Sequence, residues 1–164
     1  MPGTESAASR LCVTCGLCCN GVMFQIVKLQ PGESPKALAA LGLKVKRGAF
    51  AQPCAALDGL RCSIYADRPT RCRLFECKQL KRVEAEEITE ASALAAIREV
   101  QRRVAELNGL LEKADATNPR KSISHRCATA LAEPHPEELR ASLALAMHEL
   151  ETMLDADFRP DPNA

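Results

Sequence analysis

The stretch Cys12-Val13-Thr14-Cys15-Gly16-Leu17-Cys18-Cys19 puts four thiols into eight residues, and Cys54, Cys62, Cys72 and Cys77 complete a set of eight in the first half of the chain. A C-x-x-C turn brings two sulfurs to one centre and lets its N–H groups hydrogen-bond the thiolates. Three cysteines at successive spacing, Cys12, Cys15 and Cys18, can wrap three corners of one inorganic object, as the C-x-x-C-x-x-C run of cubane iron–sulfur proteins does. In the ferredoxin run a distant cysteine followed by proline completes the set. Here Cys19 follows at once, and Pro53 precedes Cys54.

Neighbouring side chains on extended backbone point to opposite sides. Cys18 and Cys19 therefore serve two adjacent metals, or one metal and one supporting or redox role. Eight thiols fill two four-sulfur sites; one cluster with several structural thiols is the alternative. Cys72 and Cys77 lie about 140° apart on an ideal helix, so either the helix ends between them or they reach different metals. Glu76 shares a helix face with Cys72 and is a candidate carboxylate ligand, against the plainer reading of a solvated glutamate.

The remainder of the composition is consistent with metal as a source of stability. Of 164 residues, 26 are alanine, five are aromatic and none is tryptophan, so the core buries little apolar area per residue. Metal-binding free energy is then also folding free energy. A net charge of +1 gives no field for nucleic acid. The leader Met1–Arg10 has no apolar region resembling a secretory signal, and no apolar run is long enough to span a bilayer, so the expected location is the cytoplasm. Thiols stay reduced there, which speaks against a disulfide framework, and a total of nine leaves one unpaired.

The fold class expected is mainly α: a small irregular, β-containing cysteine-rich half packed on a C-terminal antiparallel helical hairpin. Residues 1–10 read as a disordered leader and 11–158 as a single metal-binding domain. Within it, 11–82 is the cysteine-rich half and 83–158 the helical half; 159–164 is a frayed tail. Residues 22–29 suit a short strand, and Leu43 to Phe50 a second extended piece. Ser34 caps a helix from Pro35 to Leu41 that Gly42 stops. Asp58-Gly59 turns a hairpin between Cys54 and Cys62. A helix from Pro69, with Asp67 available as its cap, is expected to run to about Leu80 and carry both Cys72 and Cys77. Ile97, Val100, Val104, Leu107 and Leu111 form an amphipathic stripe over residues 89–113. Residues 120–127 read as a polar, basic loop. Leu139, Leu143, Met147, Leu150 and Leu154 line a last helix from Pro136 to Asp157.

Arg61, Arg68, Arg71, Arg73, Lys78, Lys81 and Arg82 surround the second cysteine group, against Asp67 and Glu76. They suit an anionic thiolate site, where they lower thiol pKa values and donate to sulfur. A solvated face, or a docking patch for an acidic partner, is the other reading. Cys127, beside Arg126 and near His125, reads either as a low-pKa thiol or as a buried apolar-like cysteine. His135 and His148 have no evident partners. Phosphate-loop, H-E-x-x-H, G-x-S-x-G and base-stacking aromatic signatures are all missing.

The pattern Cys12-x-x-Cys15-Gly16-x-Cys18-Cys19, then Pro53-Cys54, Arg61-Cys62-Ser63-Ile64-Tyr65, Arg68-Pro69, Cys72-Arg73-Leu74-Phe75 and Cys77, resembles the YkgJ-type C-x-x-C-x-x-C-C cysteine-cluster family of bacterial zinc- or iron-chelating domains. The resemblance covers about residues 11 to 100. It implies that Cys12, Cys15, Cys18, Cys19, Cys54, Cys62, Cys72 and Cys77 are the metal set, with Cys127 outside it. The larger flagellin lysine-N-methylases are similar in the same cysteine pattern, which implies cluster-dependent methyl transfer as one activity. This chain carries no recognisable S-adenosylmethionine motif.

The expected function is metal binding, with an iron–sulfur cluster or clusters preferred to zinc and a structural, redox or metal-handling role. An enzyme or enzyme subunit using the cluster for group or electron transfer is the alternative, and would need a pocket beside the thiols. A zinc-stapled adaptor docking or self-associating through helices 89–113 and 136–157 is the third reading; it would need an exposed seam. Soft-metal storage, for example of Cu(I), suits thiols less well, since two ordered groups are more defined than storage requires. No nucleic-acid or membrane partner is expected.

Overall fold

The structure is a computed structural model that describes residues 6–161. Its order is α1 (Ala7–Cys15), β1 (Ile26–Lys28), α2 (Pro35–Ala40), β2 (Ala49–Ala51), β3 (Leu57–Asp58), β4 (Arg61–Cys62), a 3-10 turn (Tyr65–Asp67), α3 (Thr70–Leu74), α4 (Lys78–Glu84), α5 (Glu90–Lys113), α6 (Ile123–Ala132) and α7 (Glu137–Asp157). The chain is mainly helical, with two small antiparallel sheets in the cysteine-rich half.

The helical half forms because the apolar stripes meet. Ile97, Val100, Leu107 and Leu111 of α5 and Leu143, Leu150 and Leu154 of α7 are all buried in one core, with Ile123, Cys127 and Ala130 of α6. Each such leucine contributes about 1.5–3 kcal/mol by leaving water. Arg103 reaches from mid-α5 to Glu149 in α7 at 3.1 Å. Both long-helix stripes are thus occupied within the chain. Among the described residues, no helix is long and apolar enough to cross a membrane.

The cysteine-rich half has its own small core of Val27, Leu38, Leu43, Phe50 and Ala56. β1 and β2 pair in the register Ile26–Ala51, Val27–Phe50, Lys28–Ala49, which turns Val27 and Phe50 inward together. Ser34 caps α2 by accepting from the Ala37 N–H at 3.2 Å, as its position before Pro35 predicts. The hairpin before Cys62 also forms, pairing Leu57 with Cys62 and Asp58 with Arg61.

Four expectations are corrected. The leader is not irregular throughout: residues 7–10 are helical, started by Ser6, whose hydroxyl accepts from the Ser9 N–H; residues 1–5 lie outside the described residues. The single helix from Pro69 to Leu80 is two helices, because Phe75 leaves helical backbone at ψ 124° and α4 restarts after Cys77. Pro69 is the residue before the helix, and Asp67 does not cap it. The loop at 120–127 is helical from Ile123: Ser122 accepts from the His125 N–H, and Ile123, Cys127 and Ala130 turn one face into the core. The tail is held at its start, where Arg159 pairs with Glu151 and Asp155, and Asp161 with Lys78; residues 162–164 lie outside the described residues.

Candidate metal centre

The N-terminal thiols are set by a helix end. Cys12 and Cys15 ride on α1, which stops at Gly16 with φ +67°, a left-handed conformation that favours glycine. A Cβ at Gly16 would also meet the Leu60 side chain at 2.8 Å. The chain then coils tightly: the Cys19 and Asn20 N–H groups both donate to the Gly16 carbonyl at 3.0 Å. Buried Leu17 pins this turn to the core, so Cys18 and Cys19 emerge from a fixed point. Gln101 of α5 donates to the Thr14 and Cys15 carbonyls at 2.9 and 3.3 Å, satisfying two of the acceptors the helix end leaves open.

The other thiols arrive from three directions. The Cys54 N–H donates to the Cys19 carbonyl at 2.7 Å, which lays the second cysteine segment against the first. Cys62 sits on β4 and Cys72 on α3. The carboxylate of Glu33 accepts from the Thr70 N–H at 2.6 Å and fastens the start of α3. Cys77 stands immediately before α4; burial raises its thiol pKa, and the backbone N–H groups of Leu80 and Gln79 offset part of that rise. The end of α7 is stapled to the same place. Lys78 Nζ donates to the Asp155 carbonyl at 2.9 Å, and Gln79 Nε2 to the Asp157 carbonyl at 2.9 Å.

The electrostatic neighbours of each thiol divide the eight into two sets. Cys18 is flanked by Cys15, Cys77 and Cys12 as well as its chain neighbour Cys19, and Cys12 and Cys15 each face Cys77. Cys19 faces Cys54, Cys62 and Cys72 first and Cys12 last; Cys72 faces Cys54 and Cys62. The packing follows the same division. Cys15 and Cys77 pack on the main core, and Cys54, Cys62 and Cys72 on the small one. The division runs through the Cys18–Cys19 peptide bond, and the break in the helix after Leu74 sends Cys72 and Cys77 to different sets.

Burial, then the neighbouring thiols, push these groups up: Cys15 and Cys19 to about 12, Cys72 to about 11, and Cys18 well above the ordinary thiol value. Metal-free, they are neutral near pH 7. Among the described residues, no group of three or more His, Cys, Asp or Glu side chains already stands in the geometry of a bound ion.

Seven of the eight thiols, all but Cys54, line one cavity of about 680 Å³. Its wall contains no aspartate, glutamate or histidine. It does contain Arg68, which stacks on Tyr65 with Cζ 3.6 Å from the ring centroid and donates to the Tyr65 carbonyl at 2.8 Å. The charge of Arg68 favours the thiolates of both Cys12 and Cys72, one from each set. An all-sulfur lining beside a cation fits zinc or iron–sulfur chemistry and not hard-ion chemistry.

Other candidates lie elsewhere. Glu76 is exposed and outside the cavity wall. Cys127 is buried in the helical core, with Sγ 3.9 Å from the Leu143 carbonyl, and His125 and His148 are exposed. Arg73 is exposed and reaches Thr70 Oγ1 at 3.4 Å. The sequence reading did not single out Glu33. The only local signal was a carboxylate beside the Pro31-Gly32 turn; its partner Thr70 is 37 residues away.

A family model described as "CxxCxxCC: Putative zinc- or iron-chelating domain" matches residues 11–94, just over half of the chain. No curated protein and no solved structure matches.

Proposed function

Because the chain belongs to the CxxCxxCC family of zinc- or iron-chelating domains, we propose that residues 11–158 form one metal-binding domain whose eight cysteines make two four-thiolate sites. The observation that carries this reading is the packing of Cys15 and Cys77 on the main core and of Cys54, Cys62 and Cys72 on the small one; electrostatic proximity adds Cys12 and Cys18 to the first group and Cys19 to the second. Arg68 serves as shared counter-charge. Cys77 is further prepared by the N–H donors at the start of α4.

Iron–sulfur clusters are the occupants the space supports. Four sulfurs close on a single zinc at about 2.3 Å and leave no room inside, whereas seven thiols here are spread along the wall of one cavity of about 680 Å³ that many other residues also line. A cluster supplies one-electron chemistry when bound, and Cys12 is exposed at the cavity mouth. A redox role follows in preference to a purely structural one. The same opening supports a second reading, an enzyme or enzyme subunit using the cluster for group or electron transfer. The adaptor reading has less to stand on, since α5 and α7 bury most of the stripe it would use.

The test is anaerobic purification with iron, acid-labile sulfide, zinc and the visible spectrum measured on one sample. Iron and sulfide with broad absorption near 400 nm, the region of thiolate-to-iron charge transfer expected for such ligation, is the expected result. A colourless protein with zinc in proportion to the eight thiols overturns the redox and cluster readings.

A further inference from the structure

The described residues expose six large apolar side chains, and four of them, Ile26, Leu60, Tyr65 and Leu74, belong to the wall of the thiol cavity. Leu74 is 74% exposed and Ile26 53%. Neither position is forced outward by a lack of core. β1 turns Val27 inward and Ile26 out. α3 ends at Leu74, with its neighbour Phe75 turned in against Phe24 in an edge-to-face contact at 5.0 Å. Apolar side chains scattered singly over a surface need no explanation, but a group around one opening does.

Cations share that opening. Lys28, Arg61, Arg68 and Arg71 line the cavity, with no carboxylate among the lining residues. Arg68 is committed to Tyr65 and to the thiols. Lys28, Arg61 and Arg71 are exposed, and among the described residues none of the three pairs with an acidic group. In a chain of net charge +1, with 21 acidic residues available, three unpaired cations around one apolar opening form a charge-selective mouth. A concave, mostly apolar rim with a few convergent polar groups has the character of a small-molecule site.

We infer that the mouth of the thiol cavity binds a small organic anion with an apolar body, a carboxylate or phosphate ester whose charged end meets Arg61, Arg71 and Lys28 while its apolar part lies along Ile26, Leu60, Tyr65 and Leu74. This deepens the proposed function and rests on it in one respect: the ligand lies against the metal sites and does not occupy their space.

The probe is decanoate, titrated calorimetrically into the protein as purified anaerobically, with decanol and decylammonium as neutral and cationic controls and metal content measured on the same sample. The expected result is saturable binding of about one decanoate per metal-loaded chain, at least about tenfold tighter than either control. A guanidinium–carboxylate contact of about 1.4 kcal/mol corresponds to that factor. The Arg61→Ala/Arg71→Ala variant, at unchanged metal content, is expected to lose about tenfold in affinity. Leu74→Asp is expected to weaken decanoate binding as well, without touching a cation. Equal binding of decanol and decanoate, unchanged affinity in both variants, or no saturable binding overturns the inference. So does binding confined to metal-stripped protein, since the ligand would then only fill the metals' space. A metal-free isolate overturns the metal reading instead, by a separate readout.

Discussion

Cys18 and Cys19 share a peptide bond and face opposite thiol neighbourhoods, Cys18 toward Cys15 and Cys77 and Cys19 toward Cys54, Cys62 and Cys72. The tight coil on Gly16 makes this arrangement. The Cys19 and Asn20 N–H groups are both drawn to the Gly16 carbonyl, which coils the chain tightly at this pair. A doubled cysteine is then economical, because one short segment anchors both sets.

Cys127 is expected to be dispensable for metal. Its thiol lies in the core among α5, α6 and α7, away from the cavity. Cys127→Ala should retain the full metal content and lose about 1 kcal/mol of stability through the small void left behind. Metal analysis and denaturant unfolding of the variant check this, and loss of metal at unchanged fold would bring Cys127 into the site.

Glu33 is expected to stabilise the protein in a pH-dependent way. The Thr70 and Gln30 N–H groups donate to its carboxylate and hold its pKa below the ordinary value. A carboxyl with a lowered folded pKa contributes stability fully above its unfolded value, about 4.3, and loses it as pH falls through the folded value. Glu33→Gln should therefore cost about 1 kcal/mol near neutral pH, discounted for its exposure, and nothing at low pH. The Tm difference between wild type and variant should shrink as pH falls below the ordinary carboxylate range and vanish beneath the lowered folded value; a constant difference would remove the carboxylate's role.

Metal loading should release protons. Burial and the neighbouring thiols keep Cys15, Cys19 and Cys72 protonated at pH 7, whereas bound cysteine is thiolate. Zinc titration of reduced, metal-free protein in weak buffer should therefore liberate about eight protons for two filled sites. About four would mean that only one set closes, and loading should weaken as pH is lowered.

Much of this was legible in the sequence where the cause is local. Ser34 before Pro35 caps its helix, and the 3–4 spacing from Ile97 to Leu111 buries one face of α5. That thiols far apart in the chain gather was readable from their number and spacing, and seven of the eight line one cavity. What was not legible depends on distant partners. α6 is short and its exposed face is polar, so Ile123, Cys127 and Ala130 declare themselves only once α5 and α7 exist to bury them. The break at Phe75 has no glycine or proline to announce it; the ring turns inward to meet Phe24, some fifty residues earlier. The membership of each set follows from the path of α3 and α4 around that break.

The most direct measurement is native mass spectrometry of the anaerobically purified chain, comparing wild type with Cys15→Ser and Cys62→Ser, one variant for each set. Two bound inorganic groups in the wild type are predicted, with each variant losing one and keeping the other, and the double variant losing both. A single group held by the whole set, or loss of all metal in either single variant with the fold retained by circular dichroism, would contradict two separate four-thiolate sites.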